Sequence, residues 1–91
     1  MATLFKTNGT IQEVKPKKGR FSLEELQGFV GGHIEGVFIT EDKMLFLNEE
    51  GKLDGLPFNE GATQLWESTF GVGTDYIVGD AILVSVPDEA D

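Results

Sequence analysis

One stretch of this chain is constrained more tightly than any other: Phe21-Ser22-Leu23-Glu24-Glu25-Leu26, followed a little later by Gly31-Gly32. The Ser22 hydroxyl can accept from the orphan N–H groups of a helix's first turn. Glu25 stands at the third helical position, where its carboxylate returns a bond to the Ser22 N–H, and Phe21 can pack on Leu26 across the start. Leu23, Leu26, Phe29 and Val30 recur at three-to-four spacing, so one face is apolar. Gly31-Gly32 stop the helix because glycine adopts the left-handed backbone of a C-terminal cap at least cost. The pattern predicts a helix of about two to three turns between Ser22 and Gly31.

The runs on either side read as strands. Thr3 to Thr7 and Thr10 to Val14 flank Asn8-Gly9, the pair best suited to a two-residue type I′ turn, and predict a β-hairpin. Lys15-Pro16-Lys17-Lys18-Gly19-Arg20 cannot continue a central strand, because proline lacks the donor and the charges prefer water, so an exposed connection is expected. After the helix, His33 to Thr40 and Lys43 to Asn48 are β-prone around Glu41-Asp42, a second hairpin. Glu49 to Asn59 mixes glycine, proline and charge and predicts a structured loop with a tight turn at Gly51. Asn59 is placed to cap a short helix through Ala62, Leu65 and Trp66, weakened by Gly61. Phe70 to Thr74 is a link, and Tyr76 to Val86 a final strand kinked at Gly79-Asp80. The expected fold class is α+β: a largely antiparallel sheet of about five strands, one helix of two to three turns and one short helix. Residues 1–86 are expected to form a single domain and residues 87–91 a solvated acidic tail.

Composition removes whole classes of chemistry. Without cysteine there is no disulfide framework, thiolate metal site or cysteine nucleophile, and with His33 the only imidazole there is no histidine cluster. No cofactor and no metal are expected. No charged-then-apolar leader and no apolar run near the roughly 20 residues of a membrane helix are present, so a cytoplasmic protein with no membrane partner is expected. The formal net charge is −9, and its distribution is lopsided: from Leu53 onward there are eight acidic residues and no basic one. Direct nucleic-acid binding, which wants a basic stripe, is disfavoured. An acidic surface of this kind either solubilises the chain or imitates the phosphate backbone and occupies a nucleic-acid-binding partner.

Catalytic motifs fail one after another. Ser22 is used by the cap, and Ser68 and Ser85 lie in no nucleophile elbow. Gly71 and Gly73 start a dinucleotide fingerprint, but Tyr76 stands where a third glycine is needed and a strand follows. Asn48-Glu49-Glu50-Gly51 lacks the alternating oxygens of a calcium loop. Glu49 and Glu50 are imaginable as an acid/base pair, yet neighbours at a strand end point to opposite faces. The segment from Asn48 to Asn59 nonetheless gathers donors and acceptors of both signs on a glycine-rich backbone. The candidate binding residues are Asn48, Glu49, Glu50, Gly51, Lys52 and Asn59, with His33 from the neighbouring turn. The plainer account makes the same polar groups stabilise the bend.

Several of these segments carry a resemblance. Leu23-Glu24-Glu25-Leu26-Gln27, Val30-Gly31-Gly32-His33-Ile34-Glu35, Asn48-Glu49-Glu50-Gly51-Lys52-Leu53, Gly55-Leu56-Pro57-Phe58-Asn59 and Tyr76-Ile77-Val78-Gly79-Asp80-Ala81 resemble a family of small uncharacterised domains scattered through bacteriophages, plasmids and gut-type bacterial genomes. His33 stands where the family often has an aromatic residue and Glu60 where a basic one is common, which tells against anion binding by the loop. The resemblance implies origin rather than activity. Small phage proteins without catalytic groups often act by binding, which makes the expected function a non-enzymatic binding module of phage or mobile-element origin. Counter-defence is its natural role, with a host protein or a small nucleotide-like ligand as partner. The alternatives are an accessory or structural domain that forms a homodimer and a small carboxylate-dependent hydrolase.

Overall fold

The computed structural model describes residues 2–85. The acidic tail expected at residues 87–91 lies outside the described residues. Five strands, β1 (Ala2–Phe5), β2 (Ile11–Val14), β3 (Ile34–Thr40), β4 (Lys43–Asn48) and β5 (Ala81–Ser85), form one sheet in the order β2-β1-β5-β4-β3. Every neighbouring pair is antiparallel. The two hairpins are therefore not adjacent. β5 slots between them, pairing Val84 with Ala2 on one side and with Met44 on the other.

Helix α1 (Leu23–Val30) forms as its capping box requires: Glu25 N–H donates to Ser22 Oγ at 3.1 Å and Ser22 N–H to Glu25 Oε1 at 3.0 Å. Its buried Leu26 and Val30, with Phe21 before it, pack on one face of the sheet against Leu4, Phe46, Ile82 and Val84. Helix α2 (Glu60–Phe70) covers the other face, where Ala62, Leu65 and Trp66 meet Phe5, Leu45, Leu47, Ala81 and Leu83. Both faces of β4 and β5 are thus covered. Met44-Leu45-Phe46-Leu47 and Ala81-Ile82-Leu83-Val84 accordingly read as unbroken apolar runs rather than alternating ones. Leu45, Ile82 and Val84 are completely buried, each contributing roughly 1.5–3 kcal/mol.

Two local expectations need correction. The first turn is not type I′: Gly9 has φ +92°, but among the described residues only glycines have positive φ, so Asn8 is not left-handed. Gly9 N–H instead donates to Lys6 carbonyl and Lys6 N–H to Thr10 carbonyl, the closure of a longer hairpin loop in which only the last residue is left-handed. Asp80 selects it by accepting from Thr7 N–H at 2.9 Å. The second helix is not short either, spanning 11 residues against eight in α1. Propensity undervalued it, because tertiary contacts hold it: Thr63 Oγ1 accepts from Ile77 N–H at 2.8 Å, and Leu65 and Trp66 pack on the cluster that holds Leu45 and Ala81 of the sheet.

Asn59 joins these layers. Wholly buried, it caps α2 by accepting from Ala62 N–H at 3.0 Å and donates to the carbonyls of Phe5 and Gly79, both at 2.8 Å. One side chain ties the end of β1, the entry to β5 and the start of α2. Asn59→Ala orphans all three backbone groups, and unfolding in urea should show a loss of roughly 2–4 kcal/mol. Asn59→Asp keeps the cap but loses the donor, and should also destabilise, by more at neutral than at acid pH.

Candidate functional site

On the α2 side of the sheet, the loop after β4 and the segment before β5 stand apart enough to leave a cleft of about 220 Å³. β3 and β4 supply Glu35, Val37 and Leu47, the loop supplies Glu49, Lys52 and Leu53, α2 supplies Trp66, and the chain entering β5 supplies Asp75, Tyr76, Ile77 and Val78. Alternation places these groups together: Glu35 and Leu47 are cross-strand partners, and Val37 pairs with the buried Leu45 of the same face. The floor is apolar and the rim charged, with three carboxylates against one ammonium.

The ammonium is engaged. Lys52 Nζ donates to Asp75 Oδ1 at 2.5 Å and sits 4.3 Å from the centre of the Tyr76 ring, a cation–π contact. Asp75 Oδ1 also accepts from Tyr76 N–H at 2.7 Å. The Lys52 bond first, and the Tyr76 N–H second, hold the Asp75 carboxyl below its ordinary value of 3.8. Trp66 Nε1 donates to Thr74 Oγ1 at 3.0 Å, and Thr74 Oγ1 donates to Gly71 carbonyl at 2.8 Å, which fixes the indole that walls the cleft. Tyr76, about half exposed, stands near Phe58 and continues toward Leu53, so an apolar lip borders the polar rim. The carboxylates do not converge: among the described residues no group of three or more His, Cys, Asp or Glu could hold a metal ion.

The residues singled out from the sequence divide sharply. Glu49 and Lys52 line the cleft. Asn48 reaches it but is buried, donating from Nδ2 to Val30 carbonyl at 3.2 Å and accepting at Oδ1 from Glu50 N–H at 2.8 Å, so its polar atoms serve the bend. Asn59 is consumed by the backbone bonds described above. Gly51 is buried because a Cβ there would lie 3.0 Å from Val78 Cγ2, and this close approach lets the loop lie against the β5 entry. Glu50 is exposed away from the cleft, and His33, also exposed, contributes its carbonyl, which accepts from Glu49 N–H at 2.9 Å. Sequence reasoning missed Glu35, Trp66, Asp75 and Tyr76, the other charged and aromatic residues of the wall. The available signal was an exposed tyrosine beside an aspartate, with nothing local to connect them to Lys52.

The Asp75 shift has a definite pH signature. A carboxyl whose folded value is depressed contributes stability above its unfolded value and loses it as pH falls through the folded one, here below 3.8. Both partners are nearly half exposed, so the contribution is at most roughly 1 kcal/mol. In a carboxyl-carbon NMR titration Asp75 should titrate below 3.8, and Lys52→Met should move its midpoint back toward that value, with the Tyr76 N–H retaining a smaller depression.

No helix among the described residues is long and apolar enough to cross a membrane. No curated protein and no solved structure matches the chain. A family model does match, over residues 3–91, and so covers both helices, all but the first residue of the sheet and every wall of the cleft. The chain belongs to the family described as Domain of unknown function (DUF3846).

Proposed function

We propose that this chain is a non-enzymatic binding module of phage or mobile-element origin, acting in the host cytoplasm, whose cleft takes up a positively charged group carried on an apolar stem. The observation that supports this reading is the combination on one cleft of Glu35, Glu49 and Asp75 with a single ammonium already paired to Asp75, above a floor of Val37, Leu47 and Ile77. A guanidinium or ammonium entering beside Glu35 and Glu49 finds two unspent carboxylates. Its methylene stem finds Trp66 and Tyr76, the surfaces on which such stems and heads pack well.

An anionic nucleotide fits this chemistry poorly. Each approach of a phosphate to a carboxylate at about 4 Å opposes binding by roughly 1–4 kcal/mol near a protein surface. Lys52 would have to leave Asp75 before it offered any compensation. Between the two partner classes expected for a counter-defence module, charge favours a basic site on a host protein over a signalling nucleotide.

Trp66 is the only tryptophan, so its emission reports on the cleft directly. Titration with N-acetyl-arginine amide should shift that emission with millimolar affinity, weaken with added salt, and weaken by about tenfold in Glu35→Gln/Glu49→Gln. Adenosine monophosphate should leave it unmoved. Tighter binding of the nucleotide than of the arginine derivative, or no response to either, would remove the reading.

A further inference from the structure

The sheet has two edges, and they are built differently. β2 is four residues long, carries Gln12 and Glu13, and runs directly into Lys15-Pro16, features that discourage further pairing. β3 is the longest strand at seven residues, Ile34-Glu35-Gly36-Val37-Phe38-Ile39-Thr40, with no lysine and no proline, and its one irregularity lies at the far end between Phe38 and Thr40. Among the described residues nothing pairs with its outer side.

The register says which backbone groups are on offer. His33 carbonyl accepts from Glu49 N–H, so His33, Glu35 and Val37 turn their polar groups toward β4. By alternation Ile34, Gly36 and Phe38 turn theirs outward. The side chains sort in step with this: Glu35 and Val37 line the cleft, while Ile34 packs on the opposite face with the α1 cluster. Gly36 has no side chain because a Cβ would lie 2.7 Å from Met44 Cε and 3.0 Å from the Phe46 ring, so at the middle of the edge those two β4 side chains fill the face opposite the cleft.

We propose that β3 is a docking edge, to which an extended segment of a partner protein adds as a sixth strand, presenting a lysine or arginine opposite Glu35 and an apolar residue opposite Val37. This rests on the reading of the cleft as a cation site and specifies how the cation is delivered. The residue opposite Glu35 occupies a position that makes no ladder bonds to β3, where cross-strand side chains approach most closely and opposite charges pair best. Its side chain stands on the cleft face and reaches across Glu35 toward Glu49. Main-chain bonds to Ile34, Gly36 and Phe38 supply affinity, and the cleft selects the side chain.

Charge decides the occupant. Two copies of this chain joined through β3 about a two-fold axis would bring two Glu35-Glu49-Asp75 clefts onto one face of the extended sheet, each copy carrying a net charge of −9. A basic segment relieves that repulsion where a second copy doubles it.

The probe is acetyl-Thr-Val-Thr-Arg-Thr-Val-Thr-amide, compared with two N-methylated versions and followed by Trp66 emission and amide hydrogen exchange. In the pose described, the threonine N–H groups face β3 and those of valine and arginine face away. Methylating the threonine nitrogens should weaken binding by more than about tenfold, whereas methylating those of valine and arginine should change it by less than about twofold. Bound peptide should slow exchange at Ile34, Gly36 and Phe38, and Glu35→Gln should weaken binding of the parent peptide. Equal effects of the two methylation patterns, or unchanged exchange along β3, would overturn strand addition, while retained dependence on Glu35 and Glu49 would leave the cation site standing. No binding of the parent peptide, or a dimer by sedimentation in which β3 amides are already protected, would also overturn the docking edge.

Discussion

Neither hairpin of this domain has a core of its own. Leu4 of β1 and Phe46 of β4 belong to one apolar cluster only because Ile82 and Val84 lie between them, and on the other face Ala81 and Leu83 do the same for Phe5 and Leu45. The insertion of β5 between two hairpins is the constraint from which the rest follows. It creates the two covered faces, gives α1 and α2 separate surfaces to occupy, and draws the chain before it across the top of α2. Asn59 and Thr63 then fasten that crossing, one to Gly79 carbonyl and the other to Ile77.

The cleft is a by-product of the same crossing. Chain entering β5 from the α2 side cannot lie flat on β4, because Trp66 and the turns after Asn48 already occupy that ground. The gap between them is closed at one end by Lys52 and Asp75, residues on either side that reach across and pair. Their ion pair contributes little to stability, exposed as it is, but it sets the cleft's charge by spending its one cation. What remains for a ligand is Glu35 and Glu49 over an apolar floor.

Legibility from sequence tracked the range of the interactions. Helix α1 could be read nearly to the residue because Ser22, Glu25 and Gly31 act on their own neighbours. Both hairpins were recognisable from turn chemistry, and where the first turn differed, the cause was Asp80, far away in the chain, accepting from Thr7 N–H. α2 was underestimated because its support lies in Thr63 meeting Ile77 and in Asn59 reaching Phe5 carbonyl, partners that no window of neighbouring residues contains. The loop after β4 was rightly seen as polar and turn-rich, but composition cannot distinguish Asn48 and Asn59, which spend their amides on backbone, from Glu49 and Lys52, which do not. Strand order was beyond reach for the same reason: an unbroken apolar run marks a strand covered on both faces without naming its neighbours.

The position of β5 also bears on how the domain comes into being. The first and last strands described are neighbours in the sheet although nearly the whole chain separates them, so closing the structure means bringing distant segments together before much apolar surface is hidden. During synthesis the two hairpins and α1 emerge with their sticky sides uncovered, and they stay so until residue 85 has cleared the ribosome. A nascent chain of this design spends most of its synthesis as separate, adhesive pieces, and since residues 2–48 carry six acidic and six basic side chains, net charge gives those pieces no protection from one another in the interval.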